Sequence, residues 1–471
     1  MKHILSAFGL ALLVAAAAQA DDVCSKPLTL HPPAAAPRAV QYALLPDLMD
    51  TTTGNAAEHY RRAAQKLRGT ALTDLDQILG QWLATPLKDL PLDRVAILLK
   101  KYESAFREVD AGARCEQCDW GLTEELRRTG SDSGIDVFAH LEIGKLLALR
   151  CRYEPAEGHA QEAMRTLRIG LTLARRLGDA PSLPVAIFGS GVGSYMLTEV
   201  EEVVQQPDAP SLYWPLTDLP QPLFDLRKPM EGERIAVYGF FPGAAEMAAD
   251  PNAKPWTPEQ VVKAMNVLRV VGASSNRLLR TKNYVEMLLR IAARHEAAKK
   301  ALIAEGRPNE LVDAMPHVQV ALLVALRHWD RAFDESLEGQ SLPYPERLAA
   351  WSTTEAQQQE VMDDPHGPAI PLWRLHPRDG RRWFAFVAPL DRKVAALRCV
   401  EVVRLYAAGH DGKLPASLDD IKDVPIPIDP IAGRPFDYRR VGDRAFLSCT
   451  PFPGETANNF NTPTYELIFV Q

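Results

Sequence analysis

The sequence predicts a mainly helical protein, in which a helical array is followed by a small C-terminal α+β module. Three observations predict this fold class. Apolar residues recur every three or four positions across residues 54–361, which is the period of an amphipathic helix. After residue 390 the pattern changes to one apolar helix followed by short alternating segments. The composition, with 46% hydrophobic and 24% charged residues, is that of a globular protein with a sizeable core.

Length and charge narrow the class of protein. The chain has 471 residues, enough for roughly two or three domains. Its formal net charge of −7 argues against a nucleic-acid-binding protein, which needs an excess of Lys and Arg. No motif has the full residue spacing of a cofactor-binding site, so we expect no cofactor, and the charge predicts no nucleic-acid partner.

Residues 1–20 have the pattern of a cleavable signal peptide. Lys2 supplies the positive charge, and an uncharged apolar stretch follows it. Ala20 completes the small-x-small site at which signal peptidase cuts. We therefore expect an exported protein, periplasmic or extracellular, without a membrane span after cleavage.

Residues 21–53 hold several prolines among small residues and predict an extended leader. The helical domain is expected over residues 54–361. Within it, two helices at about 136–153 and 157–177, joined through Gly158, resemble a tetratricopeptide hairpin. An ordinary helical hairpin with a tight turn explains the same residues, and both interpretations stay open.

Two further segments of the helical domain lead to local predictions. The run Gly189–Ser194 lacks the Lys of a phosphate-binding loop and keeps helical spacing, so its small residues predict a close contact between helices. Glu199, Glu201 and Glu202 are expected on a solvated helix face.

The predicted seam, residues 362–389, precedes a separate module at residues 390–471. Within the seam, the run Arg382–Val387 predicts a strand or a buried segment. The module is expected to consist of one long helix, ended by Gly409–Gly412, and a three-stranded antiparallel sheet. Because the helix and the sheet would cover each other's apolar faces, this module is expected to fold alone.

The module carries a turn motif that fixes the entry into its sheet. The motif consists of Asp429, Pro430, Gly433, Phe436 and Tyr438. Proline fixes φ, glycine permits a left-handed turn, and the two aromatic residues alternate onto one sheet face. The aspartate can accept backbone N–H groups of the turn. These roles favour a structural motif over a catalytic one.

Residues 390–471 resemble the globular domain of type II secretion major pseudopilins. The resemblance rests on the turn motif and on Leu405-Tyr406 followed by Asp411-Gly412-Lys413-Leu414-Pro415. It implies a long helix packed on a small sheet. The family's calcium site does not carry over, because the loop 451–464 has Glu455 as its single acid. The whole chain also resembles a group of uncharacterised exported bacterial proteins with a helical body and such a module.

An exported chain exposes its cysteines to an oxidising compartment, which favours disulfides. The six cysteines are Cys24, Cys115, Cys118, Cys151, Cys399 and Cys449. We expect a structural disulfide within the Cys115-x-x-Cys118 motif or from it to Cys151, and a second one between Cys399 and Cys449. A redox pair remains an alternative for the motif, as does a metal site completed by His140 and Cys151.

Together these observations predict a non-catalytic binding or scaffold protein of the cell envelope, with an unidentified protein partner. Helical arrays offer extended concave surfaces for such partners. Two alternatives stay open. One is an enzyme whose site is assembled from distant residues, and the other is an accessory factor of a secretion or filament system.

Overall fold

The computed structural model describes residues 25–33, 43–69, 71–132, 134–207, 209–241, 243–271, 277–350, 367–370, 372, 380–452 and 455–470. The predicted signal peptide with Ala20 lies outside these residues, as do Cys24 and part of the predicted seam. Within them, the prediction of a mainly helical chain with a small sheet is confirmed.

Helices account for most of the described chain. In chain order they are α1 (Ala56–Lys66), α2 (Leu72–Ala84), α3 (Leu92–Lys101), α4 (Glu103–Ala113), α5 (Leu122–Thr129), α6 (Val137–Ala156), α7 (Ala160–Gly178), α8 (Leu183–Val203), α9 (Tyr213–Thr217), α10 (Arg227–Phe240), α11 (Ala244–Ala249), α12 (Pro258–Val271), α13 (Arg277–Ala293), α14 (His295–Ala304), α15 (Asn309–Ala314), α16 (His317–Gly339) and α17 (Gly380–Gly409). Residues 344–350 are also helical. Among the described helices, none combines the length and the apolar character needed to cross a membrane.

The strands form three small sheets. They are β1 (Lys26–Leu30), β2 (Thr52–Asn55), β3 (Cys115–Gln117), β4 (Ile428–Asp429), β5 (Arg434–Pro435), β6 (Asp437–Val441), β7 (Arg444–Ser448) and β8 (Tyr465–Phe469). The largest sheet has the order β1-β8-β7-β6, with β1 parallel to β8 and the other neighbours antiparallel. β2 pairs with β3 in parallel, and β4 pairs with β5 in antiparallel fashion.

The chain divides into two compact units that differ from the predicted domains. The first unit combines three stretches, Met1–Trp120, Ser133–Leu226 and Trp383–Gln471. The second combines Gly121–Asp132 with Arg227–Arg382. The C-terminal residues thus belong to the same unit as the N-terminal helices, whereas the sequence predicts a separate module.

The core of the first unit is built around three mutually packed helices, α6, α7 and α8. Gly189 of α8 lies against α7 so closely that a Cβ there would stand 2.7 Å from the Gly178 nitrogen and 2.8 Å from the Ala174 oxygen. Gly144 likewise lies against Val192. The helix spanning Gly189–Ser194 and its role as a close helix contact are therefore confirmed.

The second unit packs α5 against α10, and α14 against α16. Gly239 of α10 approaches α5 so closely that a Cβ would lie 1.9 Å from the Leu126 oxygen. The Arg234 guanidinium of α10 pairs with Asp330 of α16 at 3.0 Å. Arg307 donates to the Met247 carbonyl at 2.8 Å, which ties the loop before α15 to α11.

The leader and the C-terminal sheet are joined. The segment Lys26–Leu30, predicted as part of an extended leader, pairs residue by residue with Tyr465–Phe469 and adds a fourth strand to the three predicted ones. Leu28 and Leu30 are completely buried. The physical reason is that β8 would otherwise leave an unpaired edge, and a nearby extended segment satisfies its backbone groups.

The run Arg382–Val387 is helical, not a strand, because it lies inside α17. Pro389 also lies inside this helix, although proline removes a backbone donor and usually ends a helix. Buried contacts on both sides of Pro389 hold the helix together, since Phe384, Val387 and Leu390 are all buried. The predicted C-terminal end of this helix is right, because α17 stops at Gly409 and Gly412 adopts a left-handed φ of 77°.

The predicted solvated face at the end of α8 is wrong for Glu199 and Glu201, whereas Glu202 is half-buried and pairs with Lys26 at 3.0 Å. Glu199 and Glu201 are buried, at 2% and 4% exposure. Glu201 accepts hydrogen bonds from Lys26 at 2.7 Å and from the Tyr465 hydroxyl at 2.8 Å. The carboxylates are buried because β1 and β8 cover this end of the helix and bring their own polar groups.

Candidate functional site

The predicted cysteine sites are dispersed over the first unit. Cys115 lies in β3 and Cys151 in α6, whereas Cys399 lies in α17 and Cys449 follows β7. Cys115, Cys151, Cys399 and Cys449 are buried free thiols, and Cys118 is half-buried. The expected disulfides are therefore absent from the described residues, both within the Cys115-x-x-Cys118 motif and between Cys399 and Cys449.

The buried thiols make weak hydrogen bonds to carbonyl groups. Cys115 donates to the Ala111 oxygen at 3.5 Å and Cys151 to the Ala163 oxygen at 3.5 Å. Burial raises the pKa of both thiols, and it raises the pKa of Cys399 and of Cys449 to about 12. A raised thiol pKa lowers the fraction of thiolate, the form that attacks disulfides. These environments do not favour the redox alternative.

The metal alternative, in which His140 and Cys151 complete the motif, is not assembled. Among the described residues no group of three or more His, Cys, Asp or Glu side chains is placed to hold a metal ion. His140 is buried beside Trp120, with its Nδ1 atom 2.6 Å from the Asp136 oxygen. Burial lowers the pKa of His140, so the ring is neutral.

The turn motif of the C-terminal sheet is held by hydrogen bonds within the turn and by an ion pair with α17. Asp429 Oδ1 accepts from the Ile431 N–H at 2.9 Å, and its backbone oxygen accepts from Gly433 at 2.8 Å. The same carboxylate pairs with the fully buried Arg392 of α17 at 2.9 Å. Gly433 has a left-handed φ of 65°.

The aromatic residues of the turn motif complete these contacts. Phe436 is buried, and the Tyr438 hydroxyl donates to the Pro415 oxygen at 2.9 Å. Pro430 lies between β4 and β5, in the turn that joins them. The hydrogen bonds and the ion pair given above therefore join the motif to other residues of the segment 390–471.

A cleft between α3–α4 and α6–α7 has the size and the lining of a binding site. It encloses about 470 Å³, within the range of ligand pockets. A second cavity of about 240 Å³ lies beside it, and both are lined by Asp110, Arg165 and Ile169. The larger cavity is called here the larger arm of the cleft, and the second one its small-cavity end. Its walls carry charged side chains around an aromatic floor that includes Phe106 and Tyr153.

Helix periodicity places these side chains. α7 buries Ala163, Leu167 and Leu171 in the packing with α6 and α8. Arg165 and Arg168 lie on the other side of the same helix, where they line the cleft. Long Arg side chains can cover apolar surface while they keep their guanidinium groups in contact with solvent.

One ion pair is built into the floor of the cleft. Arg150 Nε donates to Glu154 Oε1 at 2.7 Å, and the Arg150 guanidinium lies over the Phe106 ring at 5.3 Å from its centroid. The other carboxylate oxygen of Glu154 accepts from Thr166 at 2.7 Å. Burial raises the pKa of Glu154, while Arg150 and Thr166 act in the opposite direction. Both carboxylate oxygens of Glu154 thus accept a hydrogen bond within the floor.

The cations of the two arms differ in their partners. At the small-cavity end, Asp110 pairs with Arg114 at 2.8 Å and with Arg165 at 3.1 Å. In the larger arm, the side chains of Lys100 and Arg107 have neither a hydrogen bond nor an ion pair to any described residue. The cleft therefore offers cations to a ligand without first breaking an internal ion pair.

The predicted site residues and this cleft do not overlap. None of the cysteines or turn residues lines it, and none of its cations belongs to a motif that the sequence pattern indicates. The sequence signal that points to it is weak: Arg165 and Arg168 lie three positions apart on the face of α7 opposite its apolar stripe. Such a pattern usually indicates a solvated face. The cleft arises only when α4 and α7 pack together.

Comparison with known proteins adds no assignment. No family model, no curated protein and no solved structure matches this chain.

Proposed function

We propose that the chain is a non-catalytic binding or scaffold protein of the cell envelope, exported through its N-terminal signal peptide. The partner in this proposal is a protein, and the cleft between α3–α4 and α6–α7 receives a segment of it. The observation that carries the proposal is the cleft itself, which combines about 470 Å³ of space with the unpartnered cations Lys100 and Arg107.

The lining suits a polypeptide segment better than a compact apolar ligand. Aromatic rings supply surface for apolar side chains, and Arg and aromatic residues are enriched among side chains that dominate binding energies. Cations and carboxylates alternate along both walls, so a bound chain would meet hydrogen-bonding groups of both kinds. A rigid helical frame also reduces the entropic cost of binding.

The test is site-specific photocrosslinking in cells that express the full chain. A photoreactive residue replaces Arg107 in the cleft, and a matched control variant carries it at Lys422, which is exposed elsewhere in the same unit. We expect a reproducible crosslinked protein in the envelope fraction from position 107 and none from position 422. Recovery of an uncrosslinked chain from both positions, together with turnover of a small molecule, would overturn the proposal in favour of an enzyme.

A further inference from the structure

The small-cavity end of the cleft concentrates positive charge. Arg114, Arg165 and Arg168 surround two carboxylates, Asp110 and Asp50. Asp110 already pairs with both Arg114 and Arg165, whereas Arg168 pairs with Asp50. Three guanidinium groups thus share two acids, and the site keeps an excess of one positive charge.

Arg168 has unused capacity to donate. Its side chain is only 25% exposed, and its Nε atom is buried without a hydrogen-bond partner among the described residues. A guanidinium binds a carboxylate best through two parallel N–H donors. In this structure the recorded bond to Asp50 uses Nη2 alone. A differently placed carboxylate can therefore be bound more completely than that of Asp50.

Asp50 reaches the cluster from a short exposed turn. Asp47 closes this turn by accepting from the Met49 and Asp50 N–H groups at 2.8 and 3.1 Å. Leu48 and Met49 at its tip are 92% and 93% exposed. Within the described residues no apolar packing holds these two side chains. The buried Leu44 and the hydrogen bond from the Thr52 N–H to the Arg114 oxygen anchor the chain on either side of the turn, and the ion pair of Asp50 with Arg168 attaches the turn itself.

We propose that Arg114, Arg165 and Arg168 anchor a carboxylate of an acidic protein segment, and that Asp50 occupies this anchor as an internal competitor when the segment is absent. The inference rests on the proposed function of the cleft and names the chemistry of its ligand. A carboxylate is favoured over a phosphate because the internal occupant is itself a carboxylate. While Asp50 occupies the anchor, the segment cannot bind there. The apparent affinity for the segment is therefore the intrinsic affinity multiplied by the fraction of molecules in which the anchor is free.

The test measures fluorescence anisotropy of labelled hexaglutamate with the full chain, and hexaglutamine serves as the neutral probe. We expect Asp50→Asn to bind hexaglutamate about 3- to 10-fold more tightly than the unchanged chain, because the competitor loses its charge. Arg168→Gln in the Asp50→Asn background should lose at least about 10-fold. Arg68→Gln, an exposed residue away from the cleft lining, is the matched control and should change nothing.

Three outcomes would overturn the inference. They are unchanged or weaker binding by Asp50→Asn, equal binding of hexaglutamine, and displacement of hexaglutamate by inorganic phosphate at lower concentrations than by free glutamate. Circular dichroism on each variant establishes that the fold is retained. If these measurements fail while position 107 still crosslinks to a partner, the proposed function stands and the carboxylate anchor alone falls.

Discussion

At the scale of single residues, this protein buries several charged side chains and pairs them with specific partners. Arg404 of α17 is completely buried, pairs with Glu401 at 3.0 Å and donates to the His31 carbonyl at 2.7 Å. Arg392 is equally buried and pairs with Asp429. Removing one member of such a pair costs about 3–5 kcal/mol, because the other charge remains buried without compensation. These arginines fix the position of α17.

The charge of Glu199 is compensated only weakly. Arg152 approaches it only to 3.9 Å, and its Oε2 atom has no hydrogen-bond partner among the described residues. Burial raises the pKa of Glu199 to about 8, against the favourable charge of Arg152. An acid with a raised pKa stabilises the fold at low pH, where it is neutral in both states. That contribution is lost as the pH rises from about 4.5 through about 8.

We therefore predict that the free energy of unfolding falls between pH 5 and pH 8 by on the order of 1 kcal/mol per unit, and that Glu199→Gln flattens this dependence. Urea denaturation at several pH values measures the free energy of unfolding for the unchanged chain and for the Glu199→Gln variant. The exposed Glu157→Gln variant is the control and should keep the slope. A slope that Glu199→Gln leaves intact would show that another group is responsible.

At the scale of the elements, close helix contacts at glycine determine the packing of the first unit. Gly189 brings α8 against the backbone of α7, and Gly193 makes room for the Phe224 ring. Backbone atoms cannot move aside as the end of a flexible side chain can. A side chain at Gly189 must therefore separate the two helices.

We predict that Gly189→Ala destabilises the protein by about 1–3 kcal/mol through overpacking, despite the higher helix propensity of alanine. Gly80→Ala is the matched control, since Gly80 lies inside α2 with nothing within 4 Å of the added Cβ. That variant should be more stable by about 0.5–1 kcal/mol. Thermal and chemical denaturation measure both, and equal effects of the two substitutions would contradict this account.

At the scale of the whole molecule, the first unit is made from segments far apart in the chain. β1 supplies the edge strand beside β8, and Lys26 at its start pairs with Glu201 of α8. Arg404 donates to the carbonyls of His31 and Pro210, which belong to the N-terminal stretches. The C-terminal sheet and its helix thus depend on groups that residues 390–471 do not contain.

We predict that residues 390–471, expressed alone, do not form a cooperative fold. The fragment would expose the β8 edge and leave Arg404 without three of its four acceptors, the carbonyls of His31, Ala209 and Pro210. The dispersion of amide NMR signals and a thermal melt show whether the fragment folds cooperatively, with the full chain as the reference. A well-dispersed spectrum and a sharp transition in the fragment would contradict the prediction and support an independent module.

Local patterns predicted much of the secondary structure. Helical spacing and glycine turn signals indicated the helices on either side of Gly158 and the end of α17 at Gly409. Alternation indicated the strands near Ala445 and Tyr465. The run Arg382–Val387 is ambiguous in the sequence because its five apolar and aromatic residues satisfy both periods, and Pro389 signals a break that tertiary packing overrides.

The sequence by itself determined the fold class, the small-residue contact at Gly189 and the left-handed turn at Gly433, because each follows from interactions within a few residues or from a missing side chain. Only the tertiary structure decided that β1 completes the sheet, that Glu199 and Glu201 are buried, and that Arg165 and Arg168 line a cleft with Asp110. Burial and charge pairing depend on which elements pack together. These partners lie tens to hundreds of residues apart, and helical or strand periodicity carries no information at that range.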